Sequence, residues 1–167
     1  MPTVLMQNFT DCEIAAIATA CGVTYEQAKK ALSWRDLVGW MESPVFGNPW
    51  NLYRALIRLG FWKKNINCTM LLNGDCVPGE TIVLVKKSFT EQHWVVWSGM
   101  TSFGSHKLLW GNSLTPVLVS SPKMKELFLK SDPNCAFQVY KANALHLLFR
   151  RIESYIRGIF YYDKSNA

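Results

Sequence analysis

The chain has 167 residues, 49% of them apolar and 18% charged, with a net charge of +6 and a pI of about 9.1. Together with seven Trp and nine Phe, these values exclude a disordered chain and fit one domain, residues 1–167, with a real core. The basic residues are scattered as pairs (Lys29-Lys30, Lys63-Lys64, Lys86-Lys87, Arg150-Arg151), so a nucleic-acid partner has charge behind it but no continuous patch.

Five cysteines is an odd count without tight pairwise spacing, and the N-terminus lacks a basic region followed by a long apolar run. The thiols are therefore expected to be free, in a reducing and cytoplasmic setting. No membrane partner is expected. The richest apolar segment, Ala144 to Tyr162, is interrupted by Arg150, Arg151, Glu153 and Arg157.

In chain order, Gln7 to Glu13 reads as a loop running into a helix that extends to Cys21. Thr10 and Glu13 are spaced as a capping box, which puts Cys12 at the second helical position. Partial positive charge and free N–H groups at that end favour the thiolate. Gly22 ends the helix, and Thr24 with Gln27 starts another through a second capping box. Arg35 to Gly47, with Trp34 before it, is irregular and aromatic. Asn48-Pro49 starts a third helix, on which Leu52, Leu56 and Leu59 repeat at helical spacing before Gly60.

The pattern then changes to strands: Ile66 to Leu72 and Thr81 to Lys86 around an Asn73-Gly74 turn, His93 to Ser98, Lys107 to Trp110, and Val117 to Val119. Ser121-Pro122 opens a further helix to about Lys130, and Phe137 to Tyr140 is one more strand. Asn143 caps a last helix with an apolar stripe of Leu147, Leu148, Ile152, Tyr155, Ile156, Ile159 and Phe160. Packing on the core is the default use of that stripe, and a homodimer contact is the other. The fold class is α+β: helices, then an antiparallel sheet, then a helical extension over about 121–167.

A cysteine nucleophile needs a base and a group that orients the base. Of three histidines, His93 opens a strand at the sheet rim, His106 sits in a loop rich in Gly and Ser, and His146 begins the last helix. Placement favours His93. Asn112, just past the next strand, can accept from the imidazole without a buried charge. The backbone N–H of Cys12 and the side-chain amide of Gln7 are the candidate donors to an oxyanion. Each feature has a bland alternative: a buried thiol, a strand-end histidine, a turn asparagine. Their order along the chain is what distinguishes them.

At these residues the sequence resembles the papain-like cysteine peptidases, in particular compact bacterial and phage forms akin to bacteriocin-leader processing peptidases. The matching segments are Asp11-Cys12 with Ile14 to Ala18, Val23 to Ala28, Leu52 to Phe61, Ile82 to Val85, His93 to Val96, and Asn112. The resemblance spans roughly Met6 to Ser113 and the core it implies about 6–120. It implies Cys12 as nucleophile, His93 as base, Asn112 as orienter and Gln7 as oxyanion donor, with a peptide or protein substrate and, for a phage protein, the host cytoplasm. Two departures stand out. Glu13 follows the cysteine where the family carries Gly, and only four residues separate Gln7 from Cys12, one fewer than usual.

Among rival uses, Cys68 and Cys76 lack the short spacing of a zinc site, and no phosphate-binding glycine loop or paired carboxylates are present, so no metal or cofactor is expected. The leading function is cleavage of a peptide or isopeptide bond through a thioester. Deamidation and acyl transfer share that intermediate. The alternative is a catalytically reduced scaffold acting as a protein-binding module.

Overall fold

The computed structural model describes residues 3–8, 11–33, 49–66, 71, 73, 81–86, 92–129 and 136–153. Thr10, the aromatic stretch 34–48, and Cys68, Cys76 and Cys135 lie outside them.

Three helices come first: α1 (Cys12–Cys21), α2 (Tyr25–Ser33) and α3 (Pro49–Arg58). Helix α1 is the innermost, with Ala15, Ile17 and Ala18 fully buried. Its small side chains let it lie directly against the sheet, with α2 and α3 beside it. Gly22, at φ +64°, closes it: Gly22 N–H donates to Thr19 and Val23 N–H to Ala18, the paired bonds of a left-handed helix stop. The capping box of α2 forms as its sequence predicts. Thr24 N–H donates to Gln27 Oε1 at 2.9 Å, and Gln27 N–H donates to Thr24 Oγ1 at 3.2 Å. At α1 the prediction fails by one residue. Asp11 is the N-cap, and Cys12 is the first helical residue rather than the second.

The sheet holds β1 (Phe61–Asn65), β2 (Thr81–Lys86), β3 (Gln92–Met100), β4 (Ser105–Leu109), β5 (Val117–Ser120) and β6 (Ala136–Lys141), in the order β1-β6-β2-β3-β4-β5. Every pairing is antiparallel. Strands β2 to β6 fall close to the expected segments. The first strand does not. It begins directly after Gly60, whereas Asn73 is helical, so no hairpin joins β1 to β2 across Asn73-Gly74. Instead β6 lies between them, pairing Trp62 with Tyr140 on one side and Ile82 with Phe137 on the other.

Trp94, Val95, Val96 and Trp97 are buried in succession. A strand with one wet face would alternate, so β3 is covered on both faces. Helix α1 packs against β3. Helix α4 (Ser121–Leu129) packs on β2, β4 and β5 and buries Met124.

Residues 144–153 form a last helix, α5. Asn143 caps it as expected, its Oδ1 accepting from His146 N–H at 2.8 Å. Of the expected stripe, Leu148 and Ile152 are exposed, while Tyr155, Ile156, Ile159 and Phe160 lie outside the described residues. His146 meets the Trp62 ring edge-on at 4.8 Å, and the Arg150 guanidinium, ion-paired with Glu153, lies 3.9 Å from the same ring. These polar groups face the body. Leu145, Leu148, Phe149 and Ile152, spaced i, i+3, i+4, i+7, are 66%, 56%, 63% and 49% exposed. Among the described residues, no helix is long and apolar enough to cross a membrane.

Candidate active site

Four backbone segments meet at the N-terminal end of α1. The first carries Cys12, whose half-buried thiol is free. The backbone N–H groups of Trp94, Glu13 and Cys12 itself favour its thiolate. Burial outweighs them, and the Glu13 carboxylate adds to it, so the thiol is pushed up from its ordinary value. The sequence expectation of a depressed thiol is thus overturned in the resting protein. The helix N-terminus is present, but the sulfur has lost too much water.

The second segment is the start of β3. The Trp94 backbone acts on the Cys12 thiol, so the adjoining residue, His93, lies at the same end of α1. The third is the turn after β4. Its Trp110 ring stacks on the His93 imidazole, with centroids 4.9 Å apart and planes at 17°. His93 Nε2 lies 3.2 Å from the Trp110 carbonyl oxygen. A carbonyl only accepts, so Nε2 carries the hydrogen, and in the neutral ring Nδ1 keeps the basic lone pair.

The fourth is the segment 3–8. Met6 N–H donates to Gly111 O, which fixes the 110–112 turn to the stretch leading into Gln7. Gly111 has φ +71°, and a Cβ there would lie 3.1 Å from Met6 Cγ and 3.2 Å from Ala15 Cβ. The turn, the N-terminal segment and α1 therefore touch at one glycine that no other residue replaces without strain.

The Asp11 carboxylate, almost fully buried, completes the frame. It accepts from the Tyr25 hydroxyl on α2 and, at 2.7 Å, from the Asn8 amide. Desolvation pushes its pKa up; those bonds, with Lys29 nearby, outweigh it and hold the carboxyl below the usual range.

The sequence-predicted residues thus lie on segments that converge. Gln7 and Asn112 are exposed, Gln7 directly after the Met6–Gly111 bond and Asn112 directly beyond it. The group that meets His93 Nε2 is the Trp110 carbonyl, two residues before Asn112. Sequence reasoning missed Trp110, because a backbone carbonyl leaves no mark in a sequence. It also missed Asp11 and Tyr25, whose pairing bridges two helices. Of the other histidines, His106 is fully buried in β4, its Nε2 3.5 Å from Ser121 Oγ, and its pKa is lowered by burial. His146 belongs to the α5 contact. Among the described residues, no group of three His, Cys, Asp or Glu is placed to hold a metal ion.

No protein-family profile and no curated protein matches the chain. The architecture does have a counterpart. The crystal structure of the peptidase domain of Streptococcus ComA, a bi-functional ABC transporter involved in a quorum sensing pathway, matches with a TM-score of 0.57 at 19% identity. The match covers 83% of this chain and 96% of that one. The chain has the papain-like peptidase fold. In this papain-like chain, helices pack on an antiparallel sheet, and Cys12 and His93 stand on its first helix and a central strand.

Proposed function

We propose that the protein is a thiol peptidase, or a related acyl-transfer enzyme, acting on a peptide or protein. The observation that carries this reading is the His93 imidazole clamped by Trp110 beside Trp94, the strand residue whose backbone favours the Cys12 thiolate.

In this mechanism His93 Nδ1 takes the thiol proton and the sulfur attacks the substrate carbonyl. The carbonyl π electrons move to oxygen, where Cys12 N–H and the Gln7 amide donate to the oxyanion. Collapse expels the amine, which leaves with the proton from His93, and a thioester remains. Water, deprotonated by His93, attacks the thioester and releases the acid and the thiol. Trp110 holds the ring by stacking and through its carbonyl. Asn112, for which the resemblance implies that orienting role, lies two residues further along the same turn.

A second reading has its own support: burial and Glu13 both favour the neutral thiol, which suits a protein-binding module with reduced activity. The pH dependence of iodoacetamide labelling at Cys12, mapped by peptide mass in wild type and His93→Ala, separates the two. Labelling that responds to His93 and persists below the free thiol's pKa of about 8.5 supports the enzyme. Slow labelling that His93→Ala leaves unchanged supports the module. Peptide and isopeptide substrates then test turnover.

A further inference from the structure

An aspartate at a helix N-cap ordinarily turns its carboxylate onto the free N–H groups of the first turn. Asp11 is the N-cap of α1 and makes no such bond. Its Oδ2 is occupied sideways, by the Tyr25 hydroxyl from the first residue of α2 and by the Asn8 amide at 2.7 Å. Tyr25 is itself buried, so its hydroxyl is fixed in place. Meanwhile the Cys12 and Glu13 backbone N–H groups, at the first two helical positions, favour the Cys12 thiolate. The Glu13 N–H thus has two competing takers, the adjacent carboxylate and the thiolate, and the carboxylate makes no bond to it.

From this arrangement we infer that Tyr25 and Asn8 are positioning residues that hold the Asp11 carboxylate off the N-terminus of α1, reserving its first-turn N–H groups for the Cys12 sulfur and the oxyanion. The inference rests on the reading of Cys12 as nucleophile. It goes beyond that reading by assigning a function to a tyrosine on a different helix, which touches neither substrate nor sulfur.

The physical consequence follows from hydrogen-bond accounting. A buried carboxylate deprived of the Tyr25 donor is left under-solvated and turns to the donors an N-cap carboxylate reaches. Those are the N–H groups of Glu13 and Ile14. Capping there withdraws a donor from the sulfur and brings a negative charge to it, and both changes disfavour the thiolate. The ionisable groups around the sulfur are Glu13 on α1, His93 on β3, and the Asp11 carboxylate with its α2 neighbours Tyr25 and Lys29. Only the position of the Asp11 charge changes in this scheme.

The experiment measures the pH profile of Cys12 alkylation by iodoacetamide in wild type, Tyr25→Phe, Asn8→Ala, Asp11→Ala and the Tyr25→Phe/Asp11→Ala double variant. The expected result for Tyr25→Phe is a profile displaced to higher pH, with labelling at neutral pH slowed about five-fold, roughly the worth of one capping bond. Asn8→Ala, at an exposed residue, gives a smaller displacement in the same direction and serves if Tyr25→Phe does not fold. In the Asp11→Ala background, with no carboxylate to swing, Tyr25→Phe has no further effect. Profiles unchanged in Tyr25→Phe and Asn8→Ala would overturn the inference. So would an equal displacement by Tyr25→Phe with and without Asp11, which makes Tyr25 a packing residue only. A wild-type profile indifferent to His93 sinks the peptidase reading instead. It does not mask the Tyr25 comparison, which reads the thiol directly.

Discussion

Replacing Gly111 with alanine attacks the point where three segments of the site meet. Two costs can be separated. The backbone sits at φ +71°, and an L-residue there costs about 1–2 kcal/mol. The new Cβ would also lie 3.1 Å from Met6 Cγ, 3.2 Å from Ala15 Cβ and 3.3 Å from Met6 Sδ. Met6 is flexible and yields cheaply. Ala15 is fully buried on α1 and yields only if the helix moves, which adds about 1–2 kcal/mol, the lower part of the overpacking range. The sum is about 2–4 kcal/mol. Gly22 supplies an internal control, because it has φ +64° with nothing within 4 Å of its would-be Cβ and bears the backbone cost alone.

Urea titration followed by tryptophan fluorescence should place Gly111→Ala below Gly22→Ala by a few tenths of a molar to about 1 M, for a slope of about 2 kcal/mol/M. Cys12 labelling should change in Gly111→Ala only, since the displaced elements carry Cys12 and Trp110. Equal midpoints, with Cys12 labelling unaltered in both variants, would refute the idea that this glycine locks the site together.

Asn112→Ala is expected to leave the pH profile of Cys12 labelling within about two-fold of wild type, because Nε2 of His93 already has the Trp110 carbonyl; a ten-fold loss would return the orienting role to Asn112. In the native protein, Cys12 should react with a small thiol reagent before Cys21, whose thiol burial pushes up to about 12; peptide mapping of partly labelled protein checks the order. The lowered pKa of Asp11 means its charged form is favoured by folding. Its contribution is full above its unfolded value near 3.9 and is lost as pH falls through the lower folded value. The stability gap between wild type and Asp11→Asn should therefore narrow between pH 7 and pH 3 in urea titrations. Tyr25 behaves oppositely, its pKa raised to about 12 by burial and the Asp11 carboxylate. Its contribution is full below about 10 and lost as pH rises toward 12, so tyrosinate absorbance at high pH should report it together with unfolding.

What the sequence revealed and what it hid divide along local and non-local physics. The α2 capping box, the Gly22 stop, Thr81–Lys86 and the Asn143 cap are each decided by a few neighbouring residues, and all are found where the residues imply them. The start of α1 shifted by one residue because Asp11, like Thr10, is a strong N-cap type, and its carboxylate bonds were to a residue on another helix. The missing hairpin had the same origin. Asn73-Gly74 is a good turn signal, but the partner of β1 is β6, and no local pattern records a strand arriving from so far along the chain. At the candidate site, the segments carrying Gln7, Cys12, His93 and Asn112 could be picked out from the sequence, whereas the Trp110 carbonyl, the loss of water around the sulfur and the outward apolar face of α5 depend on tertiary placement.

The position of β6 also has a consequence for how the chain acquires its fold. Cys12, His93 and the 110–112 turn are all synthesised before Ala136–Lys141 exists. Until that strand arrives, β1 has no partner in the sheet and one edge of β2 stays unpaired. The pairings of β6 span a long stretch of chain and carry a loop-closure cost that the local pairings of β2 to β5 do not. A ribosome-bound chain released from the tunnel only as far as the 110–112 turn carries Cys12 and His93 with an open sheet. Cys12 is thereby held on an incomplete sheet until β6 has been made.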